Sequence, residues 1–251
     1  MEQIPNYCYI EFEKLVKSPY SVLLAIISFS LAAFMLFDFK NSINESFEIR
    51  RFSFPQTDFV EFFMEKLSSR LHLLSYLLAV SICLLSIELD LQGKFLSRSI
   101  FTLPVNIVSY LIAKILICSA FVIIATGVLH FAIPPLVISA FENRSVNLPD
   151  PIGETVVFHW VVQSFFLIPI VSFIVAYSVI IKQRILISFV LFFLFYFMAS
   201  GLSYFYPLSL LSKFSLINSK HAGLSYYLIG FISVAICVMS SSYALTKRKY
   251  A

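Results

Sequence analysis

"LHLLSYLLAVSICLLSIELDLQGKFLSRSIFTLPVN", residues 71–106, is the stretch whose reading decides the fold. From Leu71 to Ile87 it carries no Asp, Glu, Lys or Arg. A helix needs about 20 apolar residues to cross a bilayer, within a range of roughly 17–25, so this run is long enough. Glu88 and Asp90 then open a connector of mixed charge that includes Gly93, Lys94 and Arg98. Pro104 closes it before apolar character returns. An apolar run, a compact two-signed segment and a second apolar run describe two membrane helices and the link between them.

The composition agrees. The chain has 251 residues, 59% of them hydrophobic and only 13% charged. A soluble domain is about a quarter charged, so there is too little charge here to cover a water-facing surface. The apolar runs are continuous rather than alternating, which argues against a β-barrel and for a polytopic helical membrane protein. The net charge of +4 comes without a basic cluster interleaved with aromatics, so no nucleic-acid partner is expected.

Six segments are predicted to span: about 20–37, 71–87, 108–137, 156–181, 185–202 and 224–245. A break in the third is expected at Pro134 and Pro135. The "KQR" turn at 182–184 and the "KRK" tail at 247–249 lie directly beside span ends, and this density of basic residues puts both termini on the inner side. Lys114, two to three turns into the third span, is expected to snorkel to the inner interface. At the N-terminus, acidic residues precede the first apolar run and no basic n-region is present, so the first span is expected to be retained.

The connections differ in character. Residues 7–18 form an N-terminal amphipathic helix in which Tyr9, Ile10, Phe12, Leu15 and Val16 make an apolar stripe. Glu11, Glu13, Lys14 and Lys17 lie largely elsewhere around the wheel, so an interfacial position on the inner surface is expected. In the long outer loop 38–70, the part "TDFVEFFMEKLSSRL" reads as a helix lying on the membrane surface. Residues 203–223 are too apolar for a solvated loop and too interrupted to span twice, which suits a re-entrant outer segment before span six.

Motifs for chemistry are absent. There is no GxxxxGK[ST], no HExxH and no GxSxG. The four histidines lack ligand spacing. Cys8, Cys83, Cys118 and Cys237 are far apart in sequence and read as small buried apolar residues. No catalytic, cofactor-binding or metal-binding residue is expected, and the chain is not expected to be an enzyme. His159 and Gln163 in the fourth span are candidate pathway residues, since a polar side chain within a span marks either a substrate path or an interhelical hydrogen bond.

The order of features is similar to that of the permease subunits of ABC-2-type transporters. It rests on "EKLVKS" at 13–18, "ELDLQGK" at 88–94 and "PVNIVSYLIAK" at 104–114, followed by an apolar outer segment and a basic tail. Lys94 stands where that family usually has Thr, and Ile107 or a neighbour stands where it usually has a basic residue. The resemblance covers the whole chain in order and spacing. It implies an exporter subunit in the bacterial cytoplasmic membrane that forms the substrate pathway and works with two ABC ATPase subunits and a second permease subunit, the same or homologous. ATP and Mg would sit on the ATPase. Residues 89–103 would be the cytoplasmic coupling helix. Glu88, Asp90, Gln92, Gly93, Lys94, Phe95 and Arg98 would then meet the ATPase, with Glu13, Lys14 and Lys17 of the N-terminal helix beside them. An accessory subunit could dock on the outer loop 38–70. The alternatives are a membrane anchor for an ATPase complex doing mechanical or assembly work, and an intramembrane enzyme.

A cysteine placed at Ser97 tests the topology. It should react with a membrane-impermeant maleimide only when the inner face is open to the reagent; labelling from the outer face alone contradicts this reading.

Overall fold

The computed structural model describes residues 4–22, 25–26, 29–30, 33, 56–92, 106–142, 152–181, 187–188, 191 and 224–249. Among these the elements are all helical: α1 (Ile4–Lys17), α2 (Gln56–Gln92), α3 (Ile107–Glu142), α4 (Ile152–Ile181) and α5 (Leu224–Lys249). Apolar sequence in a dry environment leaves a backbone no partner but itself, and the helix satisfies it within one segment. Leu73–Asp90, Ile107–Ala132 and Gln163–Ile180 are long and apolar enough to cross a membrane, and Phe231–Lys247 is a shorter apolar helix. The chain is a helical, membrane-embedded protein.

The exposed surface has the composition expected of a lipid-facing one. On α3, Leu116, Ala120, Ile124 and Val128 recur every four residues and are exposed. On α5 the exposed set is Phe231, Ile232, Ile236, Met239 and Tyr243. Large apolar side chains gathered on one helix face belong against hydrocarbon, not water.

The core lies where α2, α3 and α4 meet, with Leu245 of α5 added. It includes Tyr76, Val80, Leu111, Val122, Leu167, Ile170 and Ile174. α2 and α3 run antiparallel, because Ser86 meets Lys114 while Asp90 meets Tyr110. The α2 side of this contact is built of small residues at helical spacing: Ser75, Ala79, Cys83 and Ser86, all essentially buried. Small side chains let two helices approach closely, which is how packing replaces the missing hydrophobic drive inside a bilayer. Core hydroxyls bond back onto their own helices, as Ser75 Oγ does to Leu71 O at 2.7 Å and Ser172 Oγ to Ile168 O at 2.9 Å.

Two expectations need correction. The helix expected on the membrane surface within 57–71 does form, but it is the N-terminal part of α2 and continues unbroken into the span. At about 1.5 Å per residue, 37 residues reach roughly 55 Å, well beyond a hydrocarbon core of about 30 Å. The third span, in turn, is not interrupted at Pro134 and Pro135, and α3 runs from Ile107 to Glu142. A proline removes one ladder bond, whereas leaving the helix would orphan several more backbone groups. α4 likewise carries Pro169 within it. Within the first and fifth predicted spans, each described residue is helical. Residues 93–105, which hold most of the expected coupling helix, and 203–223 lie outside the described residues, as do 38–55 of the outer loop.

One contact between α3 and α4 is tight enough to test. A Cβ on Gly127 would lie 3.2 Å from the Trp160 indole, which donates from Nε1 to Ile123 O at 3.2 Å and meets the edge of Phe131 at 5.5 Å. Trp160 is the only tryptophan, so its fluorescence reports this contact alone. Gly127→Leu should displace the indole, shift its emission and cost about 1–3 kcal/mol of stability. Unchanged emission and stability would show that α3 and α4 do not meet here.

Candidate functional site

Four charges from three helices close into a square. α1 contributes Glu11 and Lys14, α2 contributes Asp90 and α3 contributes Lys114. The signs alternate around it. Lys14 Nζ lies 3.0 Å from Glu11 Oε1 and 2.6 Å from Asp90 Oδ1. Lys114 Nζ lies 2.7 Å from Glu11 Oε2 and 2.6 Å from Asp90 Oδ2. Each lysine therefore touches both acids, and each carboxylate gives one oxygen to each lysine.

Uncharged groups also join the square. Lys114 donates to Ser86 Oγ at 2.7 Å, and Ser86 Oγ donates to Glu11 Oε2 at 3.2 Å. The Tyr110 hydroxyl donates to Asp90 Oδ2. Lys114 sits 5.5 Å from the centre of the Tyr110 ring one turn back, and Tyr7 of α1 meets that ring edge-on at 6.4 Å. Lys114 and Asp90 have fully buried side chains and Glu11 is nearly so, while the Lys14 side chain keeps 24% of its surface exposed. A buried charge is tolerated only when paired and hydrogen-bonded, and here two cations balance two anions.

Local sequence explains the assembly. On α1, Glu11 and Leu15 fall four residues apart and form the buried face, continued by Ser18 just past its end, while Tyr9, Ile10, Phe12 and Val16 are exposed. The helix thus turns a carboxylate toward the bundle and its apolar side outward. The bend after Lys17 is set by Ser18 and Pro19, with Ser18 Oγ accepting from Tyr20 N at 3.3 Å and Ser18 O from Ser21 N at 3.1 Å. On α3, Asn106 caps the start, its Oδ1 accepting from Ser109 N at 3.2 Å. Tyr110 and Lys114 follow one turn apart on the face that meets α2.

Lys114 does not snorkel to the interface as expected. It stays buried because Glu11 and Asp90 are within reach at its own depth, and a paired charge gains nothing by leaving. Of the residues expected to contact an ATPase, Lys14 and Asp90 are in the square, while Glu13 pairs with Lys17 on the exposed side of α1. Glu88 is half-buried on α2. Gln92 ends α2, and Gly93, Lys94, Phe95 and Arg98 lie outside the described residues. Gln163 is buried in α4 and its carboxamide makes no hydrogen bond among the described residues. The His159 side chain is outside the described part.

Glu11, Ser86 and Tyr110 are the members that sequence reasoning missed. The available signal was Lys114 itself, since a lysine well inside an apolar run calls for an acid at its own depth. Among the described residues no group of three or more His, Cys, Asp or Glu could hold a metal. The half-buried Cys8 thiol on α1 is pushed up by burial and then by the nearby Glu11 carboxylate, which leaves it a poor nucleophile. Each carboxylate oxygen of the square already meets a lysine. The chemistry of the square is that of a joint between helices.

The arrangement defines a helical membrane protein whose N-terminal helix is pinned by charge to two span-length helices. Comparison of the chain with protein-family models, curated proteins and solved structures returns no match.

Removing one corner tests the joint. Lys114→Met leaves two carboxylates, Glu11 and Asp90, to share Lys14 alone and should cost about 3–5 kcal/mol, read from unfolding in detergent. Glu11→Gln in the same chain should recover part of that loss. A single variant as stable as the parent would show that the charges do not interact.

Proposed function

We propose that the chain is the transmembrane permease subunit of an ATP-driven exporter of the ABC-2 type. It would have six spans, with both termini cytoplasmic in a bacterial inner membrane. One observation carries the reading. The two parts expected to touch an ATPase are α1 and the connector between α2 and α3. The charge square joins them: Asp90 lies three residues before Gly93, and Tyr110 lies four after Asn106, so both roots of the connector are bonded to each other and to α1.

A chain without a P-loop must import its work through contacts. A push on residues 89–103 from two ATPase subunits would reach α1, α2 and α3 together through the square. ATP can bias inward- and outward-open states only through contacts that differ between them, and a rigid joint at the connector's root makes such differences felt along whole helices. Within the bundle, Gln163 is a buried amide with both donor and acceptor unused, which suits a position on the substrate path. ATP and Mg belong to the partner ATPase, and a second permease subunit completes the pathway.

The chain should co-purify with an ABC ATPase. Replacing residues 92–97 with Gly/Ser should abolish coupled ATP turnover while leaving the helices folded. Glu11→Gln should reduce it about tenfold, the size of a coupling free energy near 1.4 kcal/mol. Full turnover in the 92–97 replacement would exclude the coupling role. Turnover without movement of any substrate would point to the mechanical anchor instead.

A further inference from the structure

Cys83 of α2 and Cys118 of α3 are distant in sequence, yet they meet in the core. The contact Ser86–Lys114, 2.7 Å long, fixes the register of the two antiparallel helices. Cys83 is three residues before Ser86 and Cys118 is four after Lys114, so both lie one turn deeper on the same facing sides. Both belong to the core cluster, and both are essentially without exposed surface. Within that cluster Cys83 and Cys118 are interacting neighbours. Ala79 and Ser75 continue the small-residue stripe on α2, which brings the backbones close enough for side chains as short as cysteine to touch. A disulfide needs Cα atoms roughly 4.4–6.8 Å apart, and such small-residue crossings are where transmembrane helices approach that range.

We propose that Cys83 and Cys118 form a reversible dithiol–disulfide pair that staples α2 to α3 beside the charge square. The oxidant class is a small neutral peroxide, such as hydrogen peroxide. Cys118 is assigned as the attacking sulfur, because it lies one turn from Lys114 on its own helix, four residues further along. Its sulfur bonds to one peroxide oxygen, the O–O bond breaks, and the departing hydroxide takes the thiol proton and leaves as water. The Cys118 sulfenic acid that remains is attacked by the Cys83 sulfur. The S–O bond breaks, and that hydroxide leaves as a second water with the Cys83 proton. Two thiols lose two electrons, one peroxide gains them, and a thiol reductant reverses the change.

The bond would fix the separation of the two helices from which residues 93–105 depart. Cys8 and Cys237 supply internal controls: each is half-buried, on α1 and α5, away from this register.

The test uses the full chain in detergent micelles, freed of reductant and treated with graded hydrogen peroxide. The sample is then denatured in N-ethylmaleimide, and its peptides are analysed by mass. The expected product is a peptide pair joined through Cys83 and Cys118, lost on reduction, while Cys8 and Cys237 carry maleimide. In Cys118→Ser, Cys83 should stay reduced at the same dose. Cys83 and Cys118 both carrying maleimide at doses that oxidise Cys8 would overturn the proposal. So would separate sulfinic acids at the two positions, or disulfides from either one to Cys8, Cys237 or another copy of the chain.

Discussion

The structure depends on a balance of charge inside an apolar bundle. Lys114 has no water to reach, so it has to be neutralised where it stands. Glu11 and Asp90 do this from two other helices, and Lys14 closes the set at the side nearest solvent. The cost of an unpaired ion in this setting is several kcal/mol. That cost makes the position of α1 a condition of the fold: without Glu11, the square would hold two cations, Lys14 and Lys114, against Asp90 alone. Most of the packing between α2, α3 and α4 is apolar and tolerant of slippage. The square is not, because it accepts only one register for each of its three helices.

That requirement also explains the inverted amphipathic face of α1. Its apolar residues Tyr9, Ile10 and Val16 face outward while Glu11 faces the bundle. In water this would be the wrong way round. Beside a bilayer it lets the helix meet lipid on one side and satisfy a buried lysine on the other. Ser18 and Pro19 then turn the chain into the next helical stretch. The joint and the bend lie within two turns of each other, so a displacement at the connector's root could not be absorbed by α1 alone.

Much of this was legible in the sequence and some was not. The spans at Leu71–Ile87 and 156–181 were plain, because runs without charge have few alternatives at that length. The neighbours of Lys114 were harder. Its partner Asp90 lies in the connector sequence and reads as a surface charge, and Glu11 lies one position from residues of the apolar stripe. Both are recognisable as core groups only once the antiparallel register of α2 and α3 is known. The continuity of α3 through Pro134 and Pro135 is not legible in sequence, because a proline pair reads as a break wherever solvent can take the freed backbone groups, and a bilayer offers none. The facing of Cys83 and Cys118 likewise depends on register, which single-chain periodicity does not set across helices.

Hydrogen exchange of the α1 backbone amides, in the parent chain and in Asp90→Asn, tests the central claim most directly. If the charge square holds α1 in place, the amides of Ile4–Lys17 exchange much faster in the variant while those of α4 are unchanged. Equal protection of α1 in both chains would mean that α1 is held by apolar contact alone and that the square is not the joint described above.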